Sequence, residues 1–351
     1  MLRPGLSWLL VLLPVSLVAK FGFHRNLVTF LAAAGAIIPL AGLIGRSTDE
    51  LARHAGPRIG GLLNATFGNV TELVISIFLI LRNELDVVKA SLTGSILGNL
   101  LLVLGLSFLI GGIRHSEQRY SAQAAGVHAN SLVLAVIGLF MPALFVQATG
   151  AANFEQREVV SGVVAAVLIA LYAAALVFTM VTHEHLFRIP DAGERPEWSR
   201  AAAMTTLLVA TGLVALESEL LVGALEPAVA DLGLSKTFVG LIVVPVVGNA
   251  AEHSSAVLFA LRNKVDVTLE IAIGSSTQVA LFVAPILVFI SLAVGHPMDF
   301  VFTPFEIAAV ALATLIVAMI SLDGRSNWLE GAQLTGAYVI MAISFFFVRS
   351  F

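Results

Sequence analysis

Residues 60–81 read GGLLNATFGNVTELVISIFLIL, an apolar run with a single charged side chain, Glu72, more than ten residues from its start. A helix needs about 20 mostly apolar residues to cross a bilayer. A charge at the bilayer centre costs about 2.5–3.5 kcal/mol even on lenient insertion scales, so its presence there needs a reason. The stretch therefore predicts a membrane-spanning helix that contains an ionisable site.

The pattern returns in the second half of the chain, in the run TFVGLIVVPVVGNAAEHSSAVLFAL at 237–261. An ungapped alignment that places Gly68 on Gly248 matches eight of the twenty positions of 68–87 to those of 248–267, and five of the eight are polar or charged. Apolar composition alone does not produce polar matches, so we interpret the pattern as an internal repeat. The matched polar residues are Asn69, Glu72, Arg82, Asn83 and Asp86 with Asn249, Glu252, Arg262, Asn263 and Asp266.

Eleven apolar segments are predicted to form membrane helices in an all-α polytopic protein. A β-barrel is disfavoured, because the runs are long and do not alternate with period two. The predicted organisation is an extra N-terminal helix in 1–22, a first repeat in 23–182, a linker in 183–200 and a second repeat in 201–351. The segments are 6–20, 27–45, 59–81, 87–113, 126–147, 158–182, 201–221, 237–261, 266–293, 303–321 and 329–348.

Each predicted repeat contains five crossings, and an odd number of crossings inserts the second copy upside down. Inverted repeats with polar sites near the midplane are typical of secondary transporters. The charges of the loops predict the orientation in the membrane. Loops on the same side of the membrane as the N-terminus carry 12 Lys and Arg residues, from Arg3 to Arg325, and loops on the opposite side carry 7. The positive-inside rule then places the N-terminus in the cytoplasm and the C-terminus outside the cell membrane.

Composition excludes several classes of protein. The chain is 58% hydrophobic and 12% charged, whereas soluble domains carry about 25% charged residues, so lipid must be the solvent for much of the surface. The absence of cysteine excludes disulfides and thiolate metal sites. No nucleic-acid-binding surface, nucleotide-binding loop or catalytic triad is recognisable. The sequence predicts neither an enzyme nor a cofactor, and a homo-oligomer is compatible with it.

The candidate site combines two carboxylates with amides and hydroxyls. Asn69 and Glu72 share one helix face, as do Asn249 and Glu252. The preceding glycines, Gly68 and Gly248, weaken the local backbone, and the glycines at 94 and 274 are places where a helix could break. His253 is a candidate supporting group, although a packed histidine is an equal alternative. The following segments add Ser95, Asn99, Ser275 and Gln278, for which ordinary interhelical hydrogen bonding is the alternative.

This set of oxygen atoms favours Ca²⁺, which takes 6–8 oxygen ligands including carboxylates and carbonyls. Two carboxylates hold either one divalent cation or protons, and this competition is what exchange requires. A sodium-coupled exchanger needs sites for several Na⁺ ions beside the Ca²⁺ position, and this site offers only one carboxylate per repeat. The prediction therefore favours proton coupling. Weaker candidates are the metal-like His183-Glu184-His185, for which a solvated helix end is the better interpretation, and Glu306 and Glu330, which could reach the membrane surface. Glu217, Glu219 and Glu226 could gather cations electrostatically, although a simple interfacial position is the better interpretation.

Five stretches resemble the calcium/proton exchangers of the Ca²⁺/cation antiporter superfamily, in a prokaryotic form. The resemblance implies eleven helices in two inverted repeats and Ca²⁺ exported against entering H⁺. It also implies that Glu72 and Glu252 are the essential carboxylates. Val70 departs from the family pattern, in which alanine is more usual. The stretches are GPRIGGLLNATFGNVTELVIS (56–76), SLTGSILGNLLLVLGLSF (91–108), VGNAAEHSSA (247–256), EIAIGSSTQVALFVAPILV (270–288) and DGRSNWLEGAQLTGAYVIMAI (323–343).

Three other functions remain open at this point. The first is a sodium-driven calcium exchanger of the same superfamily, which a sodium gradient would drive. The second is a cation channel, for which an inverted repeat is a poor match. The third is an intramembrane enzyme, which the lack of a catalytic constellation disfavours.

Overall fold

The structure is a computed structural model that describes residues 7–149, 154–187 and 196–347. Helices dominate these residues, as expected for an all-α protein, and nine of them are long and apolar enough to span a membrane. Two shorter apolar helices complete the eleven predicted segments. Arg3, Arg188, Arg195 and Arg349, which contribute to the predicted orientation, lie outside the described residues.

The eleven helices lie close to the predicted segments. Two further short helices, Glu184–Phe187 and Leu225–Leu232, occupy connections. The eleven are α1 (Ser7–Gly22), α2 (Asn26–Ala55), α3 (Ile59–Leu81), α4 (Leu85–Arg114), α5 (Ala122–Thr149), α6 (Glu155–Thr182), α7 (Arg200–Gly223), α8 (Lys236–Leu261), α9 (Val265–Ala293), α10 (Pro304–Ile320) and α11 (Trp328–Phe347).

Helix α2 extends well beyond the predicted end at 45 and ends at Ala55. The extension is polar, so hydropathy did not reveal it, but its side chains contact the residues that lead into α7. The buried carboxylate of Glu50 accepts hydrogen bonds from the backbone N–H groups of Glu197 and Trp198, at 2.8 and 3.1 Å. The helix is followed by Gly56, whose φ of 84° is accessible to glycine and rarely to other residues.

The turns after α3 and α8 have the same backbone conformation. Asn83 and Asn263 adopt positive φ angles of 57° and 59°, and asparagine tolerates this left-handed region better than most residues. The backbone N–H of Asn83 donates to the carbonyl of Ile80, and that of Asn263 donates to the carbonyl of Ala260. The alignment that places Gly68 on Gly248 also relates these positions, so the two turns repeat in conformation as well as in sequence.

The chain divides into two compact units, each assembled from several helices. The first comprises residues 1–91, 191–252 and 346–351, and the second comprises 92–190 and 253–345. In the first unit α2 packs along α7, and both α1 and the second half of α3 pack against this pair. An apolar cluster lies there, formed by Leu40, Ile44, Leu207, Ala210 and Val214.

In the second unit α5 packs on α10 and α6 packs on α9. Helices α4 and α11 approach closely through glycines: a Cβ atom on Gly112 would collide with the backbone of Trp328, and one on Gly331 would collide with that of Leu109. Small residues at such crossings are common in membrane helices. A two-residue antiparallel pairing joins β1 (Gln118–Arg119) to β2 (Arg325–Ser326).

Candidate cation-binding site

Helix α3 is interrupted where the first motif lies. Its first part ends at Phe67, its second part is Val70–Leu81, and a turn at Gly68 and Asn69 separates the two. Glu72 lies in the first turn of the second part, where the amide groups of a helix N-terminus favour a negative charge. The side chain is 8% exposed, so the break holds a carboxylate inside the protein.

The second motif lies in an unbroken stretch of helix. Residues Val244–Leu261 of α8 are helical throughout, so Gly248 does not interrupt the backbone. Asn249 is buried, whereas Glu252 is only partly buried. The two repeated motifs are therefore more alike in sequence than in backbone conformation.

The two motifs meet within the first unit. The side-chain amide of Asn249 donates a hydrogen bond of 2.7 Å to Oε1 of Glu72. A Cβ atom on Gly248 would lie 3.4 Å from Cγ of Glu72, and a Cβ atom on Gly68 would lie 3.8 Å from Oε1 of Glu252. Each glutamate side chain thus lies beside the glycine of the other motif, and residues from the two halves of the sequence form one polar cluster.

The remaining predicted residues belong to the second unit, where some of them form a hydrogen-bonded chain. Nε2 of His253 lies 3.2 Å from Oδ1 of Asn99, and Nδ2 of Asn99 donates to Oγ of Ser275 at 3.3 Å. His253 therefore lies beside a polar side chain, and its supporting role stays a prediction. Ser95 is buried on α4, and Gln278 is partly buried on α9.

The helix breaks expected at Gly94 and Gly274 do not occur. Residues Leu85–Leu97 are regular α-helix, and the polypeptide remains helical through Gly274. Instead, α4 has a π-helical segment at Gly98–Val103, which contains Asn99. Helix α9 has two such segments, Glu270–Gly274, which ends at the glycine, and Val279–Val283, which follows Gln278. Such segments interrupt the regular backbone bonding and are frequent at functional sites.

Several weaker candidates differ from expectation. Glu217 is not interfacial: it is fully buried and hydrogen-bonded to α1. Glu306 is not exposed, because it is buried in a capping box with Thr303 at the start of α10. Glu219 and Glu226 are exposed. A hydrogen bond from Lys236, together with its charge, holds the pKa of Glu226 below its usual value.

Sequence reasoning missed a second ionisable contact. Nε2 of His128 on α5 lies 2.9 Å from Oε2 of Glu270 on α9, inside the second unit. The sequence did contain a signal for this contact, because His128 and Glu270 are ionisable residues inside two predicted membrane segments. Among residues 7–149, 154–187 and 196–347, no group of three His, Cys, Asp or Glu side chains is arranged to hold a metal ion. His183, Glu184 and His185 thus form no such group, and any cation bound by the Glu72 cluster needs amide, carbonyl or water oxygens as well.

Comparison with known proteins assigns the chain to a family. A sequence profile described as sodium/calcium exchanger protein matches residues 25–181 and 202–347. The chain is 43% identical to a Ca²⁺/H⁺ antiporter of Aphanothece halophytica over 97% of its own length and 95% of the relative's. It is 44% identical to the Ca²⁺/H⁺ antiporter ChaA of Bacillus subtilis, covering 95% and 96% of the two chains.

Solved structures agree with this assignment. The structure of native YfkE superposes with a TM-score of 0.84 at 40% identity, covering 97% of this chain and all of that one. A crystal structure of the H⁺/Ca²⁺ exchanger CAX has the same fold at 15% identity, with a TM-score of 0.75 over 97% and 91% of the two chains. The chain is therefore a polytopic membrane protein that belongs to the sodium/calcium exchanger protein family.

Proposed function

We propose that this protein is a secondary active antiporter that exports Ca²⁺ in exchange for H⁺. The observation that carries the proposal is the 2.7 Å hydrogen bond between Asn249 and Glu72, because it joins the two repeated motifs into one carboxylate cluster. Full-length relatives at 43–44% identity that are named Ca²⁺/H⁺ antiporters support the choice of substrates.

Glu72 and Glu252 are the proposed carriers of both substrates. Their carboxylates neutralise one divalent cation when ionised and bind protons when it leaves. Asn69 and Asn249 supply neutral oxygens, which suit the mixed oxygen coordination of Ca²⁺. Gly68 and Gly248 leave room beside the carboxylates for this exchange. The predicted contribution of Ser95, Asn99, Ser275 and Gln278, with His253 in support, remains part of the proposal.

Alternating access follows from the proposed inverted repeats, in 23–182 and 201–351. Two similar halves of opposite orientation can adopt two related arrangements, which expose a central site to either side of the membrane in turn. The extra helix in 1–22 and the linker in 183–200 lie outside the repeats. No ATP hydrolysis is required, because the proton gradient supplies the free energy.

The decisive experiment uses inverted membrane vesicles containing the protein. An acidic lumen should drive Ca²⁺ uptake, and dissipating the pH gradient should stop it. A sodium gradient of equal size should not replace the pH gradient. Uptake driven by sodium alone would instead assign the chain to sodium-coupled exchange, and conductive single-channel currents would indicate a channel.

The proposed location is the cell membrane, with the N-terminus in the cytoplasm. The chain contains no cysteine, so single cysteines report accessibility without background labelling. The exposed residues Asp323 and Asp231 lie in connections between membrane helices, on opposite sides of the membrane in this topology. A membrane-impermeant maleimide added to intact cells should label Asp231→Cys and leave Asp323→Cys unlabelled, and the reverse pattern would invert the topology.

A further inference from the structure

Glu217 is a buried carboxyl group that the proposed exchange cluster does not use. It lies on α7 and faces α1, the helix that has no counterpart in the repeats. Its side chain is 0% exposed, and so is that of Ser16, its hydrogen-bond partner on α1. The nearby interior is apolar and includes Leu13, Leu213 and Val214.

The two contacts of Ser16 limit how the hydrogen atoms between these groups can be arranged. Oγ of Ser16 is 2.8 Å from the carbonyl oxygen of Leu13 and 2.9 Å from Oε1 of Glu217. A serine hydroxyl has one hydrogen to donate, and a backbone carbonyl can only accept. If Ser16 donates to Leu13, the contact with Glu217 is a hydrogen bond only when the carboxyl group carries the hydrogen.

The electrostatic surroundings favour the same state. Oε2 of Glu217 is buried and has no hydrogen-bond partner among residues 7–149, 154–187 and 196–347. An ionised carboxylate buried without a counter-ion costs far more free energy than a neutral carboxyl group. The charged or titratable residues on α7 itself and on the elements packed against it do not form a hydrogen bond or ion pair with Glu217 in these ranges. They are Lys20, Arg46, Asp49, Glu50, Arg53, His54, Glu72, Arg200, Glu219, Glu226 and Asp231, together with Arg82, which follows α3 and approaches α7 at Gly223.

We propose that Glu217 is a second proton-binding site, separate from Glu72 and Glu252, where a resident proton holds α1 against α7. The neutral carboxyl group donates to Oγ of Ser16, which in turn donates to the carbonyl oxygen of Leu13. The proton is part of the folded structure and is not exchanged for Ca²⁺, because the group is enclosed and no charged relay reaches it. A metal ion is disfavoured at this position, since no cluster of acidic or histidine ligands surrounds it in the described ranges.

Infrared difference spectroscopy tests the site without Ca²⁺ or an ion gradient, so its result is independent of the proposed antiport. The spectrum of the wild-type protein minus that of Glu217→Gln, at neutral pH in lipid, should contain the carbonyl stretching band of one protonated carboxyl group. Carboxylate stretching bands in its place would overturn the proposal. Glu219→Gln is the matched control, because Glu219 is exposed on the same helix and should contribute a carboxylate.

A second variant tests the partner and remains informative if Glu217→Gln does not fold. Ser16→Ala removes the acceptor for the carboxyl hydrogen but keeps the glutamate. The protonated carboxyl band should then shift in frequency, because its hydrogen bond is lost. A band that does not move would show that Ser16 does not bind the proton, and a band replaced by carboxylate absorption would show that the proton is not held there.

Discussion

Asn249 on α8 donates its side-chain amide hydrogen to Oε1 of Glu72 on α3, which joins the second repeated motif to the first. A hydrogen bond to a charged group contributes about 1.5–3 kcal/mol, and about 1.4 kcal/mol corresponds to a factor of ten in affinity. We therefore expect Asn249→Ala to weaken Ca²⁺ binding by about tenfold or more, because Glu72 loses the group that positions it and the site loses an oxygen.

Asn69→Ala should also weaken Ca²⁺ binding, since it deletes one neutral oxygen, while proton binding changes less. Ca²⁺ titration of the purified protein measures both variants. Asn130→Ala is the control, because Asn130 is exposed on α5 and lies outside both motifs. Unchanged Ca²⁺ affinity in both site variants would leave the two asparagines with a structural role only.

Replacing either carboxylate by its amide should abolish exchange. Glu72→Gln and Glu252→Gln each keep the shape of the side chain but remove a charge and a proton carrier. Both variants should remain folded, because removing a partly or fully buried charge relieves a cost of burial. Gradient-driven Ca²⁺ uptake is the measurement, with Glu219→Gln as the control. Near-normal uptake by either variant would mean that the exchange site lies elsewhere.

A methyl group at Gly248 should disturb Glu72 without unfolding the protein. The added Cβ atom would lie 3.4 Å from Cγ of Glu72, so the glutamate can accommodate it with a small movement. We expect Gly248→Ala to reduce Ca²⁺ affinity severalfold at unchanged thermal stability. Gly212→Ala is the matched control, because a Cβ atom there would meet nothing within 4 Å. Equal effects of the two substitutions would contradict the proposed contact.

The two repeated turns should respond differently to the same substitution. Asn83→Gly should be tolerated, because glycine adopts the positive φ of 57° freely, whereas Asn83→Ala should cost about 1 kcal/mol. Asn263→Gly, unlike Asn83→Gly, should be destabilising, because Oδ1 of Asn263 accepts a hydrogen bond from Gln118 that glycine cannot replace. Thermal unfolding in detergent compares the variants. Equal stability of Asn83→Gly and Asn83→Ala would exclude backbone strain as the reason for asparagine.

The sequence predicted the helices well because hydropathy depends on the lipid solvent and needs no tertiary information. It failed at the end of α2, where polar residues continue the helix, and at Glu217, whose burial depends on α1. The internal alignment relates Asn83 to Asn263, and the turns at these two positions share one backbone conformation. It did not predict that α3 breaks at Gly68 while α8 continues through Gly248, since identical residues in the two motifs adopt different backbones in different surroundings.

Ca²⁺ and protons should compete for the cluster at Glu72 and Glu252. The two carboxylates can neutralise one divalent cation or bind protons, and close carboxylates titrate as a coupled pair. Lowering the pH should therefore raise the apparent dissociation constant for Ca²⁺ without lowering the amount bound at saturation.

Ca²⁺ binding should also release protons, which isothermal titration in buffers of different ionisation enthalpy can count. The resident proton proposed at Glu217 should not contribute, so Glu217→Gln should release the same number as the wild-type protein. Glu72→Gln should release fewer protons, because one of the two competing carboxylates is gone. A count of zero for the wild-type protein across the accessible pH range would exclude competition at this cluster, and sodium coupling would then become the better explanation of Ca²⁺ transport.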